Sequence, residues 1–328
     1  MTAEAGEHWF RPLGDTGITV SAVCAGGAPL GSMPENFGYE VAERDAVELV
    51  EAILDSRIRF IDTSNGYSDG RSEERIGKAI AAHGGLPSGF VVATKVDAKG
   101  KDYSGSRVRA SVQESRERLG LDALPLVYLH DPEFHDFESM VAPGGAVDTL
   151  FALREEGEIG HVGLAGGDVH AMSRYLAHAP FEVVLVHNRW TLVDHSAGPL
   201  IDQARESGAA VINAAIYGGG ILANPRGGGT TYGYRDASPD TLAAIAALAD
   251  LCDEWQTDLA TVALCASLRD DRIASTIIGF SKQERLSSIL AGAGTSFPDE
   301  FWQRVDDLLP APENWLDARS TSDVENIH

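Results

Sequence analysis

Eight short apolar runs recur along the chain, at residues 22–25, 58–62, 90–94, 126–130, 161–164, 183–187, 210–214 and 275–278, and this recurrence limits the fold more than any other feature. Each is four or five residues of mostly Val, Ile, Leu and Ala with little polar alternation. That is how strands covered on both faces read. Longer stretches with helical spacing separate them. Ala46, Leu49, Val50, Ile53 and Leu54 form one apolar stripe. Val108, Val112, Ser115 and Leu119 form another, after Ser104-Gly105-Ser106, which supplies an N-cap. Residues 241–252 and 258–268 read as Ala- and Leu-rich helices. Eight strands each followed by a helix require a parallel sheet with crossover connections. A doubly wound open sheet competes with a closed (β/α)₈ barrel, and strand count alone does not separate them.

Two segments fall outside this alternation. Residues 12–21 carry Gly14-Asp15-Thr16-Gly17 between apolar flanks, the pattern of a β-hairpin ahead of the first strand. Residues 217–236 hold two triple-glycine clusters, so a long loop follows strand seven. Glycine there permits close ligand approach, and the loop's place at a barrel mouth suits closure over a ligand. No run of Pro, Ser or charge marks a domain linker. The expected organisation is a flexible N-terminal segment over 1–10, a single barrel over 11–312 and a C-terminal tail over 313–328.

At 328 residues the chain can bury a large core without staples. Its three cysteines, Cys24, Cys252 and Cys265, are far apart, so no zinc site, other metal centre or disulfide framework is expected. A net charge of −23, from 49 acidic and 26 basic residues, argues against a nucleic-acid or anionic-membrane partner. The N-terminus has neither a basic nor an apolar leader region, and no apolar run spans a membrane. A cytoplasmic enzyme, monomeric or a small homo-oligomer, is the expectation.

Function in such a barrel sits at the C-terminal ends of the strands. Strand two ends in Ile61-Asp62-Thr63, with Tyr67 five residues beyond Asp62; strand three ends in Ala93-Thr94-Lys95, and strand four in Leu129-His130-Asp131. A carboxylate, a phenol, an ammonium and an imidazole thus share one rim. A phenol's pKa near 10 is too high for ready proton exchange at neutral pH. A neighbouring ammonium stabilises the phenolate and lowers that pKa, while the carboxylate keeps the ammonium charged. The imidazole can orient a substrate oxygen. The set suits carbonyl–alcohol interconversion, and the hydride itself must come from a cofactor.

The segment FIDTSNGYSDGRSEERIGKAI at 60–80 resembles the aldo-keto reductase signature. RPLGDTGITVSAVCAGGAPLG (11–31), VVATKVD (91–97), SVQESRERLGLDALPLVYLHDPE (111–133) and TIIGFSKQERL (276–286) are similar to the family in the same order. The resemblance implies a (β/α)₈ TIM barrel that binds NAD or NADP without a Gly-x-Gly-x-x-Gly motif. It implies a catalytic tetrad of Asp62, Tyr67, Lys95 and His130, with Tyr67 as acid/base, Lys95 its partner linked to Asp62, and His130 orienting the substrate oxygen. Cofactor contacts implied are Gly27, Gly166, Tyr217 (stacking on nicotinamide), Gly218, Gly220, Leu222, Gly279, Ser281 and Arg285. The last three sit where a helix N-terminus attracts phosphate. Many members carry a Ser-Asn pair after strand five and a Gln on strand six; this chain has Ala165-Gly166-Gly167 and His187 there. Holding the carboxamide then falls to His187, Asn188 or backbone groups.

LHDPE (129–133), HNRWTLVD (187–194) and INAAIYGGGILA (212–223) look most like the sugar-oxidising branch, which includes L-fucose and D-threo-aldose 1-dehydrogenases, with pyridoxal dehydrogenase near by. The resemblance implies oxidation of an anomeric hydroxyl to a lactone. Asp131, Asn188, Arg189 and Trp190 are the expected substrate contacts, Trp190 as an aromatic platform for a sugar ring. The alternatives are an NADPH-dependent reductase of aldehydes or ketones and a non-catalytic nicotinamide-sensing regulatory subunit.

Overall fold

The computed structural model describes residues 9–34 and 38–318. Residues 1–8 and 319–328, on which parts of the two expected terminal segments fall, lie outside them. A short hairpin opens the fold, with β1 (Phe10–Pro12) antiparallel to β2 (Thr19–Ser21). Gly14 and Gly17 take positive φ in its turn, the left-handed backbone that glycine adopts without strain. Leu13 and Val20 of this hairpin are fully buried with Cys24, Phe60, Leu126 and Ile212, so it plugs the N-terminal end of the strand barrel.

The eight expected strands are all present and close on themselves. They are β3 (Val23–Gly26), β4 (Phe60–Asp62), β5 (Val91–Val96), β6 (Leu124–His130), β7 (Ile159–Gly166), β8 (Val183–His187), β9 (Ala210–Ala214) and, after a two-strand excursion, β12 (Ile273–Gly279). The order β12-β3-β4-β5-β6-β7-β8-β9 is a closed barrel, and each adjacent pair is parallel. Closure decides against the open sheet. Some strands outrun their apolar runs: β7 extends from Ile159 to Gly166 because backbone pairing continues where Leu124 meets Ile159 and His130 meets Ala165.

Helices α1 (Glu43–Asp55), α2 (Arg71–His83), α3 (Gly105–Leu119), α4 (Phe137–Val141), α5 (Ala146–Glu155), α6 (Val169–His178), α7 (Gly198–Glu206), α8 (Pro239–Glu254), α9 (Leu259–Arg269), α10 (Gln283–Gly292) and α11 (Asp299–Asp306) surround the barrel. The stripes expected on α1 and α3 are buried. Side chains hold several N-termini: Ser104, Asp168, Ser238 and Asp258 accept from the N–H of Arg107, Ala171, Thr241 and Thr261. The long loop after β9 is ordered further by a small hairpin, β10 (Thr231–Tyr232) with β11 (Arg235–Asp236), joined by Gly233 and Tyr234 at positive φ.

Helix α2 crosses α3 so closely that a Cβ on Gly77 would overlap the Arg118 carbonyl oxygen. Glycine to alanine inside a helix normally stabilises by about 1 kcal/mol. Here the clash reverses the sign: Gly77→Ala is expected to destabilise by about 1–3 kcal/mol, read from the midpoint of denaturant unfolding. An unchanged or raised midpoint would mean that the two helices can part without cost.

Candidate active site

Asp62 ends β4, Lys95 lies one residue from the end of β5, and parallel pairing of Asp62 with Ala93 sets the two side by side. Lys95 is almost fully buried. Its ammonium donates to Asp62 Oδ1 at 2.6 Å, to the Thr63 carbonyl at 2.7 Å and to Tyr67 Oη at 3.3 Å. All three protons are therefore used. Burial alone would discharge this lysine, but the attraction of Asp62 and Tyr67 outweighs it and the pKa is raised. Asp62 keeps a second oxygen that is buried and unpartnered.

Tyr67 sits in the tight turn after β4, where Ser68, Asp69 and Gly70 all have positive φ. That turn aims the phenol back over the barrel axis, edge-on to His130 with ring centroids 5.7 Å apart. One expectation changes here. Lys95 does pull the phenol's pKa down, but burial pushes it up by more, with Asp62 and Asp131 adding to the rise, so Tyr67 stays above its ordinary value. The cause is desolvation, which no residue spacing records.

His130 ends β6. Its Nδ1 lies 2.6 Å from Asp97 Oδ1 and 3.2 Å from Ser64 Oγ, while Nε2 is 3.7 Å from Asp131 Oδ2. Tyr103 fixes the backbone there, donating to the Val96 carbonyl at 2.6 Å and accepting the His130 N–H at 3.0 Å. Asp97 is not among the expected residues, although a signal for it exists: strand alternation places it on the face of Lys95, two positions further along the chain.

Beyond His130 the rim is rich in acceptors. Asp131 has φ +44 and Asn188 φ +62, both strained for residues other than glycine. Asp131 Oδ1 is 3.8 Å from His187 Nε2. Burial would raise the Asp131 carboxyl, but His130 and His187 hold it down at about 2. Glu133, also absent from the sequence-based expectation, accepts through Oε1 from the N–H groups of Gly167 (2.6 Å) and Asp168 (3.1 Å). A Cβ on Gly166 would meet its Oε2 at 2.7 Å, and one on Gly167 would meet His187 at 2.5 Å. The missing side chains at 166 and 167 thus make room for Glu133 and His187. Polar atoms of Asp131, Glu133 and His187 lie within 4.8 Å of one another. Asp131 Oδ1, Glu133 Oε2 and Asn188 Oδ1 are buried without hydrogen-bond partners. Such a cluster calls for a donor-rich group.

Three expected substrate contacts are placed differently. Arg189 is buried and committed: Nε and Nη2 each lie 3.1 Å from the carboxylate of Asp317 in the C-terminal segment. That segment is stitched down further by Leu316 N–H to Asp194 at 2.7 Å and Val169 N–H to Asp317 at 2.9 Å. Trp190 turns away from the rim. Its ring stacks on His195 with centroids 4.5 Å apart, Nε1 donates to Asp270 at 3.0 Å, and the Arg272 guanidinium lies 4.7 Å from its centroid. Asp270 and Arg272 precede β12, so Trp190 braces the outer wall and offers no platform for a sugar. Asn188 is fully buried, with Nδ2 3.1 Å from His187 Nδ1 and its carbonyl accepting from Tyr232 Oη at 2.7 Å.

The expected cofactor positions form two groups. Tyr217 and Gly218–Gly220 begin the loop after β9, where three successive glycines have φ of +59, +79 and +107. Side chains at Gly219 and Gly220 would meet only open space. Chains of glycine N–H groups in such turns make anion cradles. Leu222 is fully buried and packs inward, its N–H bonded to the Tyr217 carbonyl at 3.1 Å. Gly279 ends β12, and Ser281 and Arg285 flank the start of α10, whose N-terminus has no side-chain cap. Burial raises the Tyr217 phenol and Asp258 adds to the rise, while the positive charge of Arg285 opposes it. Gly27 sits apart, donating to the Asp62 carbonyl at 2.7 Å, and a Cβ there would lie 2.9 Å from that oxygen. Tight packing against the end of strand two accounts for it.

Residues 22–310 match the family model described as Aldo/keto reductase family. The chain is 31% identical to a pyridoxal 4-dehydrogenase of Microbacterium luteolum, over 89% of this chain and 95% of that protein. It is 31% identical to an L-galactose dehydrogenase of Arabidopsis thaliana, with 93% and 95% covered. A D-threo-aldose 1-dehydrogenase of a Pseudomonas species is 28% identical, with 90% and 97% covered. Among solved structures, an aldo-keto reductase of Bacillus halodurans in its holo form superposes with a TM-score of 0.75 at 20% identity, covering 92% of this chain and 96% of its own. A glycerol dehydrogenase of Gluconobacter oxydans gives a TM-score of 0.73 at 22% identity, with 95% and 98% covered, and these two likenesses concern the fold. With the family match spanning the barrel and two relatives above the 30% level, the chain belongs to the aldo/keto reductase family and is an NAD(P)-dependent oxidoreductase.

Proposed function

We propose that this enzyme oxidises the anomeric hydroxyl of a small aldose in its cyclic form, of the L-fucose or D-threo-aldose type, to a lactone. One observation carries the reading: the unpartnered carboxylate oxygens of Asp131 and Glu133, with His187, lie beside His130 at the barrel mouth. Hydrogen-bond acceptors buried without donors favour a substrate that brings several hydroxyls. The aldose dehydrogenases among the relatives agree with it.

For oxidation Tyr67 first gives up its own proton. Its phenolate oxygen, stabilised by the Lys95 ammonium 3.3 Å away, then takes the proton of the reacting hydroxyl. Because burial holds the phenol above its ordinary value, this step is favoured as pH rises. Asp62 keeps Lys95 charged and aimed. His130 Nε2 faces the reacting oxygen and orients it. Asp131, next in the chain, is placed to accept from a hydroxyl on the neighbouring carbon. Tyr232, bonded to the Asn188 carbonyl, and the C-terminal segment, tied down through Asp317 and Leu316, hold the loop after β8 in place. The group that supplies hydride acceptance is NAD or NADP. The glycine cradle at Gly218 and Gly220 fits its pyrophosphate, the uncapped start of α10 with Ser281 and Arg285 fits the adenosine phosphate end, and Tyr217 offers a ring for stacking. Exposed Lys282 and Arg285 suit the additional phosphate of NADP. A pyridoxal-type substrate in its hemiacetal form is the second reading, favoured by the similarity to pyridoxal 4-dehydrogenase.

The decisive assay follows nicotinamide absorbance with a panel of aldoses and NAD⁺ or NADP⁺, beside pyridoxal and simple aldehydes; no reduction of either cofactor by any aldose would sink the first reading. Tyr67→Phe is expected to lower kcat by about 10²–10⁴-fold while cofactor binding persists. Asp131→Asn is expected to raise KM for aldoses by about tenfold or more, and to leave simple aldehydes within a few-fold. Equal losses on both substrate classes would remove Asp131 from the recognition of hydroxyls.

A further inference from the structure

We propose that Asp97 is a positioning residue for His130: it holds the imidazole as a cation with Nε2–H directed at the substrate oxygen, and the same carboxylate pins the turn that aims Tyr67. The proposal rests on the reading of His130 and Tyr67 as the groups that meet the reacting oxygen.

Both Asp97 oxygens are engaged, each on a different catalytic element. Oδ1 takes His130 Nδ1 at 2.6 Å, the short distance of a charge-assisted bond. Oδ2 takes the Gly66 N–H at 2.6 Å and the Ser64 hydroxyl. Gly66 precedes Tyr67, and a Cβ on it would lie 2.9 Å from Asp97 Cγ, so the turn and the carboxylate are packed against each other. Displacing Asp97 would therefore disturb the phenol and the imidazole together.

A carboxylate can hold Nδ1 only when that nitrogen carries a proton, which leaves Nε2 to decide the charge of the ring. Asp131 faces Nε2 at 3.7 Å, so carboxylates flank the imidazole on both sides. Asp62 acts in the same direction from β4. Burial and the Lys95 ammonium oppose it; the Tyr67 ring edge and the Tyr103 hydroxyl are neutral neighbours, and His187 lies beyond Asp131. Burial is the largest influence and lowers the pKa, but the two aspartates together overcome it and His130 stays above its ordinary value. In the oxidation direction Tyr67 must enter the step as the phenolate; as it takes the hydroxyl's proton, a charged imidazole stabilises the negative charge that develops on the substrate oxygen. His130 keeps both of its own protons throughout.

The direct test is an NMR pH titration of the imidazole signals in the full-length enzyme, with His130→Asn used to assign the His130 resonance among ten histidines. In the native protein His130 is expected to stay doubly protonated above the usual histidine value of about 6.5. In Asp97→Asn its titration is expected to move down by about one unit or more, and Asp97→Glu to recover part of the shift. A His130 that titrates at or below the usual value in the native enzyme, or that does not move in Asp97→Asn, overturns the proposal. If Asp97→Asn does not fold, the native titration decides alone. None of these readouts needs a substrate, so they stand apart from the aldose assay. Where aldehyde reduction is measurable, its kcat/KM is expected to fall as pH rises through the His130 pKa. In Asp97→Asn that fall is expected about one pH unit earlier.

Discussion

The rest of the site depends on one buried ammonium. Lys95 is taken out of water in the middle of the barrel mouth and compensated by Asp62, the Thr63 carbonyl and Tyr67. A buried charge stripped of one partner costs about 3–5 kcal/mol, so such an arrangement survives only with all its partners in place. That requirement reaches outward. Strands β4 and β5 must hold their register so that Asp62 lies beside Lys95. The turn after β4 must adopt the strained backbone of Ser68 and Asp69 to return Tyr67 over the ammonium. The barrel supplies both, because its closed ladder of parallel strands allows no slip at one pair without shifting the next.

Around this pair the charges are layered. Lys95 sits among Asp62, Tyr67 and His130, and His130 in turn lies between Asp97 and Asp131. Beyond His130, Asp131, Glu133 and Asn188 each keep a buried side-chain oxygen with no hydrogen-bond partner. The C-terminal segment closes the other side of this region. Asp317 pairs with the buried Arg189 guanidinium there. An acceptor surplus at the mouth and a paired arginine behind it are two sides of one distribution of charge.

Much of this is legible in the residue order. The eight apolar runs correspond to the eight barrel strands, the stripes on α1 and α3 to buried faces, and the Gly14–Gly17 turn to the opening hairpin. Asp62, Tyr67, Lys95 and His130 are readable as a group because each stands at or just past a strand end. Asp97 and Glu133 escape such a reading, since each acts through a partner far away in sequence: Asp97 through His130 and Gly66, Glu133 through the backbone of Gly167 and Asp168. Trp190 and Arg189 read as rim residues from their place after strand six. Their loop doubles back, so one side chain braces the wall and the other meets the C-terminal segment.

The sequence by itself determined the eight-strand parallel class, the strand ends that carry chemistry and the types of group placed there, because hydrophobic periodicity and strand termini are local properties. Tertiary structure alone decided which of those groups are charged and which are free. Burial raises Tyr67 against the pull of Lys95, two carboxylates outweigh burial at His130, and Asp317 silences Arg189. Each outcome is a balance between desolvation and partners brought from distant parts of the chain, and that balance exists only once the barrel has closed.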